Sequence, residues 1–166
     1  MKLILLVALT VGSSAQSVQK PESQTECPMH AAHTQMNERG EKGMGFSQTA
    51  TAHHFSLNAT GGTIQVEAKD SGDATNRNEI RMHLRHIAKA FQSGDFDIPM
   101  FVHGTVPPGA PEMKRLQKNI KYSFEESPNG GRVVISSANA EAVEAIHRFL
   151  RFQIEEHKTG DPSDVR

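Results

Sequence analysis

The chain has 166 residues, and its 18 basic and 19 acidic side chains give a net charge of -1. This balance argues against a nucleic-acid partner recognised through a basic face. Cys27 is the only cysteine, which excludes a disulfide within the chain. Its thiol is therefore free, a metal ligand or part of an intermolecular bridge.

The first residues have the pattern of a secretory signal. Lys2 precedes an apolar run from Leu3 to Val11, and small residues follow up to Ala15. A basic start, an apolar run too short to span a bilayer and small residues at a cleavage point are typical of export. We expect a signal peptide over 1–15, a periplasmic or extracellular mature chain, and no membrane contact after cleavage.

Residues 16–45 are polar and show no periodic apolar face, which favours a flexible arm. Soft or borderline metal ligands are nevertheless dense there: Cys27, Met29, His30, His33 and Met36. Thiolate and thioether select Cu(I), and imidazole suits copper and zinc. The string Cys27-Pro28-Met29-His30 resembles the start of short heavy-metal-binding modules found beside copper and other transition-metal transporters. The alternative is a polar secreted tail that simply contains such residues.

Structured patterns begin at Phe46. Apolar and polar residues alternate before and after the turn residues 58–62, which predicts a hairpin of two strands. An apolar stripe at helical spacing then predicts a helix that is capped near Asp73, runs to about Phe91 and stops at Gly94.

The second half repeats this order. The connector 96–119 is rich in proline and is predicted to be extended or looped, with a short helix within 112–119. A second hairpin follows over 120–136, and a last helix over 140–158 begins at a cap on Asn139.

The two halves match in sequence, which predicts an internal repeat. Phe55-Ser56-Leu57 returns as Tyr122-Ser123-Phe124, and the helices match at an offset of 66 (Ile80 and Ile146). Because a lone hairpin is marginally stable, we expect an α+β fold in which two β-β-α units share one core. It would have a four-stranded antiparallel sheet, two main helices on one face and pseudo-twofold symmetry. The predicted segments are repeat one (53–95), the connector (96–119), repeat two (120–161) and a tail (162–166).

The first repeat carries histidines that the second lacks. His53 shares a strand face with Phe55, so it points towards the helix, where His83 and His86 lie three residues apart. We expect these imidazoles to converge on a copper or zinc ion. The alternative is structural, because Phe149 and Phe152 occupy the matching helix positions and the sites then simply require a flat ring.

His103 lies in the proline-rich connector. It could close a metal site over the strand and helix, or act as a general base oriented by Asp95 or Asp97. No nucleophile motif accompanies it. His147 and His157 are interpreted as surface or helix-end residues.

Gly43-Met44-Gly45-Phe46, Thr51-Ala52-His53-His54-Phe55 and Met82-His83-Leu84-Arg85-His86-Ile87 resemble a family of small exported bacterial proteins without an assigned activity. The resemblance covers about 43–161. Some members carry the label aspartate carbamoyltransferase, which this chain contradicts because it lacks the Ser-Thr-Arg-Thr phosphate-binding motif. The resemblance implies the domain boundaries and no mechanism.

Three functions follow as expectations. The first is an exported metal-binding protein that sequesters or delivers copper, with zinc as the alternative cofactor, and has a metal transporter or a second copy as partner. The second is a non-enzymatic interaction or dimerisation module with structural histidines. The third is a small hydrolase or lyase that depends on His103 or on a metal.

Overall fold

The computed structural model describes residues 28–166, without the side chains of 28–34 and 37. The described elements alternate between hairpins and helices in the predicted order, with additional short helices. They are α1 (Pro28–Met44), β1 (Thr51–Asn58), β2 (Gly61–Ala68), α2 (Ala74–Gln92), α3 (Asp97–His103), α4 (Ala110–Arg115), a 3-10 turn (Gln117–Asn119), β3 (Ile120–Ser127), β4 (Gly130–Ser137) and α5 (Ala140–His157).

The strands form one antiparallel sheet in the order β1-β2-β4-β3. The two hairpins join through β2 and β4, where Ile64 lies opposite Val133. Helix α2 packs mainly on β3 and β4, whereas α5 packs mainly on β1 and β2. Each long helix therefore covers the hairpin of the other half, and one hydrophobic core serves both. The α+β class and the four-stranded antiparallel sheet are confirmed, while the pseudo-twofold repeat stays a prediction.

Both hairpins turn through two residues, 59–60 and 128–129. Counted back from these turns, Phe55 corresponds to Phe124, and His53 corresponds to Tyr122. The sequence match of Phe55 with Tyr122 implies that His53 corresponds to Ile120, so that match is displaced by two positions within the strand. Turn geometry fixes the register of a hairpin more firmly than side-chain similarity does.

The two long helices begin at the predicted caps. The Asp73 carboxylate accepts a hydrogen bond from the backbone N–H of Asn76 at 3.0 Å. The Asn139 side chain accepts one from the N–H of Ala142 at 2.9 Å. Each cap satisfies a backbone donor that the first helical turn leaves unpaired.

The arm expected to be flexible over 16–45 is helical from Pro28 to Met44, so that prediction is wrong for this segment. Met36 is buried, with 4% of its surface exposed. Arg39 Nε donates a hydrogen bond to the carbonyl oxygen of Val102 in α3 at 2.9 Å. Contact with α3 thus supports a helix whose own sequence has no continuous apolar stripe.

The proline-rich connector was also expected to lack regular structure before residue 112, and this is wrong for α3. Pro99 is the third residue of this helix, where its missing N–H removes no helical hydrogen bond. Gly104 ends the helix with a positive φ of 68°, a conformation that glycine adopts without strain.

The C-terminal tail lies along the outer edge of β1. Val165 forms a parallel bridge with Leu57, and the N–H of Arg166 donates to the Leu57 carbonyl oxygen at 3.1 Å. Asp161 Oδ2 accepts a hydrogen bond from the N–H of Phe55 at 2.9 Å. Among residues 28–166, no helix has the length and apolar character needed to cross a bilayer.

Candidate histidine pocket

A cavity of about 60 Å³ lies between the sheet and the helices α2, α3 and α5. We call it the histidine pocket, because its wall includes His53 of β1, His83 of α2, His103 of α3 and His157 of α5. The remaining wall is chiefly hydrocarbon and includes Met44, Phe55, Val66, Leu84, Phe91 and Phe149. A cavity of this size has room for several water-sized groups.

His53 and His83 reach the pocket for the reasons that their sequence positions predicted. The burial of β1 alternates, with Phe55 and Leu57 buried and the neighbouring residues more exposed, so His53 shares the face that looks towards the helices. His83 lies at the edge of the buried stripe of α2, next to Leu84. Phe46 contacts both rings, with centroid distances of 5.9 Å to His53 and 5.5 Å to His83.

His103 is the last residue of α3, and only 1% of its side chain is exposed. Its Nε2 lies 3.0 Å from Gln153 Oε1, and because that oxygen accepts, Nε2 must carry the proton. The lone pair of the neutral ring is therefore on Nδ1. This nitrogen is buried and has no hydrogen-bond partner within the described part of the chain. The Glu156 carboxylate lies 4.0 Å from it, beyond hydrogen-bond distance.

His157 contacts the rings of both His53 and His103. It stacks on His53 with centroids 5.0 Å apart and planes at 16°, and it meets His103 edge-on at 5.1 Å and 87°. The sequence interpretation of His157 as a simple helix-end residue missed this position. The signal was its spacing of four from Gln153 and of eight from Phe149, which places all three on one face of α5.

Burial controls the protonation of His53, His83 and His103. Desolvation, with smaller contributions from His83 and His54, lowers the pKa of His53 to about 4. Desolvation and the nearby His86 lower the pKa of His83 to about 4. The pKa of His103 is also lowered by burial, although Gln153 and Glu156 oppose that shift. His53 and His83 are therefore neutral at pH 7, which is the protonation state in which imidazole binds metals.

Other predicted ligands lie elsewhere or outside the description. His86 is exposed and is not part of the pocket wall. Met36 is buried but does not line the pocket either. Cys27 and the side chains of Met29, His30 and His33 lie outside the described residues. Within the described residues, no three His, Cys, Asp or Glu side chains are arranged to hold one ion.

The proposed pairing of His103 with Asp95 or Asp97 is wrong. Asp97 begins α3 and His103 ends it, so the two lie at opposite ends of the helix. The Asp95 carboxylate accepts a hydrogen bond from the N–H of Asp97 instead. The side chains near the His103 ring nitrogens are Gln153 and Glu156.

His147 is also placed differently from the surface position that the sequence suggested. It is buried, and its Nε2 donates to the carbonyl oxygens of Asn58 at 2.9 Å and Gly61 at 3.1 Å. This ring therefore ties α5 to the turn of the first hairpin, and its role is structural.

Comparisons of the chain with protein-family models, with curated proteins and with solved structures give no match. The family resemblance drawn from the sequence motifs accordingly stays a prediction, and the proposal for function depends on the geometry of the histidine pocket.

Proposed function

We propose that the chain is an exported metal-binding protein that takes copper into the histidine pocket. One observation carries the proposal. His53 Nε2 and His103 Nδ1 are both buried, both lack a hydrogen bond within the described residues, and both belong to rings that line the same cavity.

The two unpartnered nitrogens are costly for the fold. A buried polar atom without a partner costs about 1–3 kcal/mol, so proteins usually satisfy such atoms. An occupant of the cavity that accepts the imidazole lone pairs would remove this cost. Neutral imidazoles bind an ion without first losing a proton, which favours metal uptake at pH 7.

The character of the surrounding groups favours copper. Met44 lines the pocket and offers a thioether, a soft ligand that selects Cu(I). Gln153 Oε1 accepts a hydrogen bond from the protonated Nε2 of His103. Residues that orient a metal-binding histidine make the same kind of contact. Zinc, which also binds imidazole, is the alternative ion, and copper exceeds it in affinity for such ligands.

Ion binding would require a rearrangement of the rings. His53 and His157 are stacked nearly parallel at 16°, which does not aim their nitrogens at one point. We expect His157, in the last turn of α5, to rotate so that its ring joins His53 and His103. The methionine and histidine residues before Gln35 would assist capture, and export would place the protein where copper enters the cell envelope.

A titration of the full mature chain with Cu(I), Cu(II) and Zn(II) tests the proposal. We expect one tightly bound copper per chain. His53→Phe and His103→Phe should each remove this binding, and Gln153→Leu should weaken it about 10- to 100-fold, as loss of an orienting residue does. His86→Phe is the matched control, because that ring is exposed and outside the pocket.

Two results would contradict the pocket as the site. Binding no tighter than micromolar for all three ions would remove the metal function altogether. Unchanged copper binding in the His53 and His103 variants, together with its loss in Cys27→Ser or His30→Ala/His33→Ala, would assign the metal to the N-terminal segment instead.

The hydrocarbon wall of the cavity favours a second candidate, a small neutral molecule with one hydrogen-bonding group. Such a ligand would bind apo protein and raise its melting temperature in the presence of a metal chelator. Binding that needs the metal would exclude this candidate.

A further inference from the structure

The two outer edges of the sheet differ in how far other parts of the chain cover their backbone groups. The C-terminal tail covers the edge of β1 through hydrogen bonds at Phe55 and Leu57. Among the described residues, the edge of β3 receives only the side chain of Gln92, which donates to the Ile120 carbonyl at 3.2 Å and accepts from the Tyr122 N–H at 3.4 Å. An edge that is not covered is a template for another strand.

The hydrogen bonds of Gln92 also identify which backbone groups point outward. In an antiparallel ladder, alternate residues direct both backbone groups to the same side, so Tyr122, Phe124 and Glu126 face away from β4. No hydrogen bond reaches the outward backbone groups of Phe124 from the described part of the chain. The edge thus offers unpaired donors and acceptors along its second half.

We propose that two copies of this chain pair through their β3 strands to form one continuous antiparallel sheet, with a twofold axis at Ser123. In this register Tyr122 of one copy lies opposite Phe124 of the other, and both residues have outward backbone groups. The two sheets then share one solvent face and one helix face, because directly opposite residues of antiparallel strands point the same way.

Charge complementarity selects this register. Lys121 of each copy would lie opposite Glu125 of the other, so the symmetric dimer would contain two such pairs. Both side chains are exposed on the face away from the helices. Lys121 forms no ion pair with the described residues, whereas Glu125 is already bound by Arg132, with Arg132 Nε 2.8 Å from Glu125 Oε2. Lys121 of the other copy would therefore join the existing pair of Arg132 and Glu125. Opposite charges directly across strands stabilise a pairing.

The helix face of the same strand is suited to contact. Tyr122 and Phe124 are half-buried and line a groove of about 400 Å³ with Arg85, Ala88, Lys89 and Gln92. The Arg85 guanidinium lies 4.7 Å from the centre of the Phe124 ring and also pairs with Glu126. Cross-strand pairs of Tyr122 with Phe124 would cover aromatic surface that the single chain leaves partly exposed.

Two features oppose the pairing. The Gln92 side chain must leave the edge, but its hydrogen bond to Tyr122 is long at 3.4 Å and is replaced by a backbone bond. Lys89 residues of the two α2 helices would approach each other, which weakens association at low salt. We therefore expect a dimer of moderate affinity, with dissociation in the micromolar range.

Sedimentation equilibrium of the full mature chain measures the pairing. We expect a monomer–dimer equilibrium in the wild type. Lys121→Glu would place two like-charge pairs across the axis and weaken dimerisation about tenfold or more. Glu125→Lys should act in the same direction, and the double variant Lys121→Glu/Glu125→Lys should recover much of the loss. Lys118→Glu, at an exposed position before β3, is the matched control with the same charge change and should leave the dimer intact.

Backbone pairing is tested separately by Phe124→Pro, which removes an outward N–H, with Phe124→Leu as the control that keeps it. Loss of the dimer in the proline variant only, with unchanged circular dichroism, supports the edge contact. A strictly monomeric wild type at several hundred micromolar would overturn the proposal. So would a dimer that neither Lys121→Glu nor Phe124→Pro weakens.

Discussion

His53 and Tyr122 occupy the same position in the two hairpins, yet they face different surroundings. Both rings point towards the helices, and both have a buried polar atom without a hydrogen-bond partner in the described residues. Tyr122 meets Phe91 edge-on at a centroid distance of 5.8 Å, and its half-buried ring also lines the groove beside Arg85 and Lys89. His53 instead lies at a cavity and beside the ring of His157.

The helices α2 and α5 also differ at one matching position, where one has a histidine and the other a phenylalanine. Counted from their N-caps, His83 of α2 and Phe149 of α5 occupy equivalent positions. Both side chains line the histidine pocket, but Phe149 is 1% exposed and packs against Phe91 and Phe96, whereas His83 contributes an imidazole. The same helix position therefore carries a hydrocarbon ring in the second half and an imidazole in the first. The histidine pocket itself draws on both halves, because Phe149 and His157 of α5 line it together with His53 and His83.

Acidification should show the largest effect, because burial lowers the pKa values of His53 and His83 in the first half and also that of His103 in the connector. The pKa values of His53 and His83 are about 4 in the folded chain, against an ordinary 6.5. As the pH falls, the unfolded chain therefore binds protons on these imidazoles before the folded chain does. The free energy of unfolding accordingly falls as the pH drops from 6.5 to 4. Each imidazole contributes up to about 3 kcal/mol, a contribution that is complete above pH 6.5.

Urea unfolding at several pH values measures this dependence. The variant His53→Phe/His83→Phe, in which the first half resembles the second, should lose most of the slope between pH 6.5 and 4. His86→Phe should retain most of it, because burial is the main cause of the lowered pKa of His83 and His86 adds a smaller part. Equal slopes in the wild type and in the double variant would show that other groups govern acid unfolding.

Phe91→Ala tests the hydrocarbon side of the comparison. Phe91 is 2% exposed and contacts Phe96, Tyr122 and Phe149. Its truncation should lower the free energy of unfolding by about 3–5 kcal/mol, as for other buried phenylalanines. Phe101→Ala, at a ring that is 51% exposed, is the control and should cost far less. A loss below about 1 kcal/mol in Phe91→Ala would contradict a single core shared by both halves.

Two equivalent glycines give a smaller difference between the hairpins. A Cβ on Gly62 would lie 2.1 Å from the Ser56 carbonyl oxygen and 2.4 Å from Leu150 Cδ1. On Gly131 it would lie 2.6 Å from Phe124 Cε2, a ring at the edge of the sheet, and 3.0 Å from the Glu125 carbonyl oxygen. We expect Gly62→Ala to cost about 3 kcal/mol and Gly131→Ala about 1 kcal/mol, since only the Phe124 ring has space to move. Thermal unfolding of the two variants compares them, and the reverse order would contradict this account.

The helix caps should give the smallest effect. Asn139→Ala removes the hydrogen bond to the Ala142 N–H and should cost about 1 kcal/mol at any pH between 5 and 8. Asp73→Ala should also destabilise, but its effect should fade in acid. Hydrogen bonds from the Asn76 side chain and backbone lower the Asp73 pKa, so the stabilisation is present above the ordinary pKa and is lost as the pH falls below it. Chemical denaturation at pH 7 and pH 3 separates the two caps.

Local patterns sufficed for most of the fold. The alternation around Phe55 and the stripe from Ile80 to Phe91 predicted their strand and helix, and the caps at Asp73 and Asn139 were confirmed. Helix α1 was missed because its stability depends on packing against α3, a contact that no local pattern reveals. Helix α3 was missed because prolines usually interrupt helices, whereas Pro99 lies in a first turn that tolerates it.

The candidate site was predictable in part. The face shared by His53 and Phe55 and the position of His83 on its helix pointed both rings towards the same interior. The contribution of α3 was less accessible, since the tautomer of His103 depends on Gln153, which lies far along the chain. His157 was missed because a residue in a last helical turn is usually solvated, and only the packing of α5 on β1 brings it to the cavity.

The segment 161–166, which runs beside Leu57, bears on how many copies of the chain could join one sheet. A sheet that accepts neighbours on both sides can add copies without limit and become a fibre. Here Val165 and Arg166 lie along the edge of β1, so with the proposed pairing at β3 addition would stop after one partner. In the proposed dimer, residues 161–166 would limit the assembly to two copies, and their removal would be expected to let further copies add at β1.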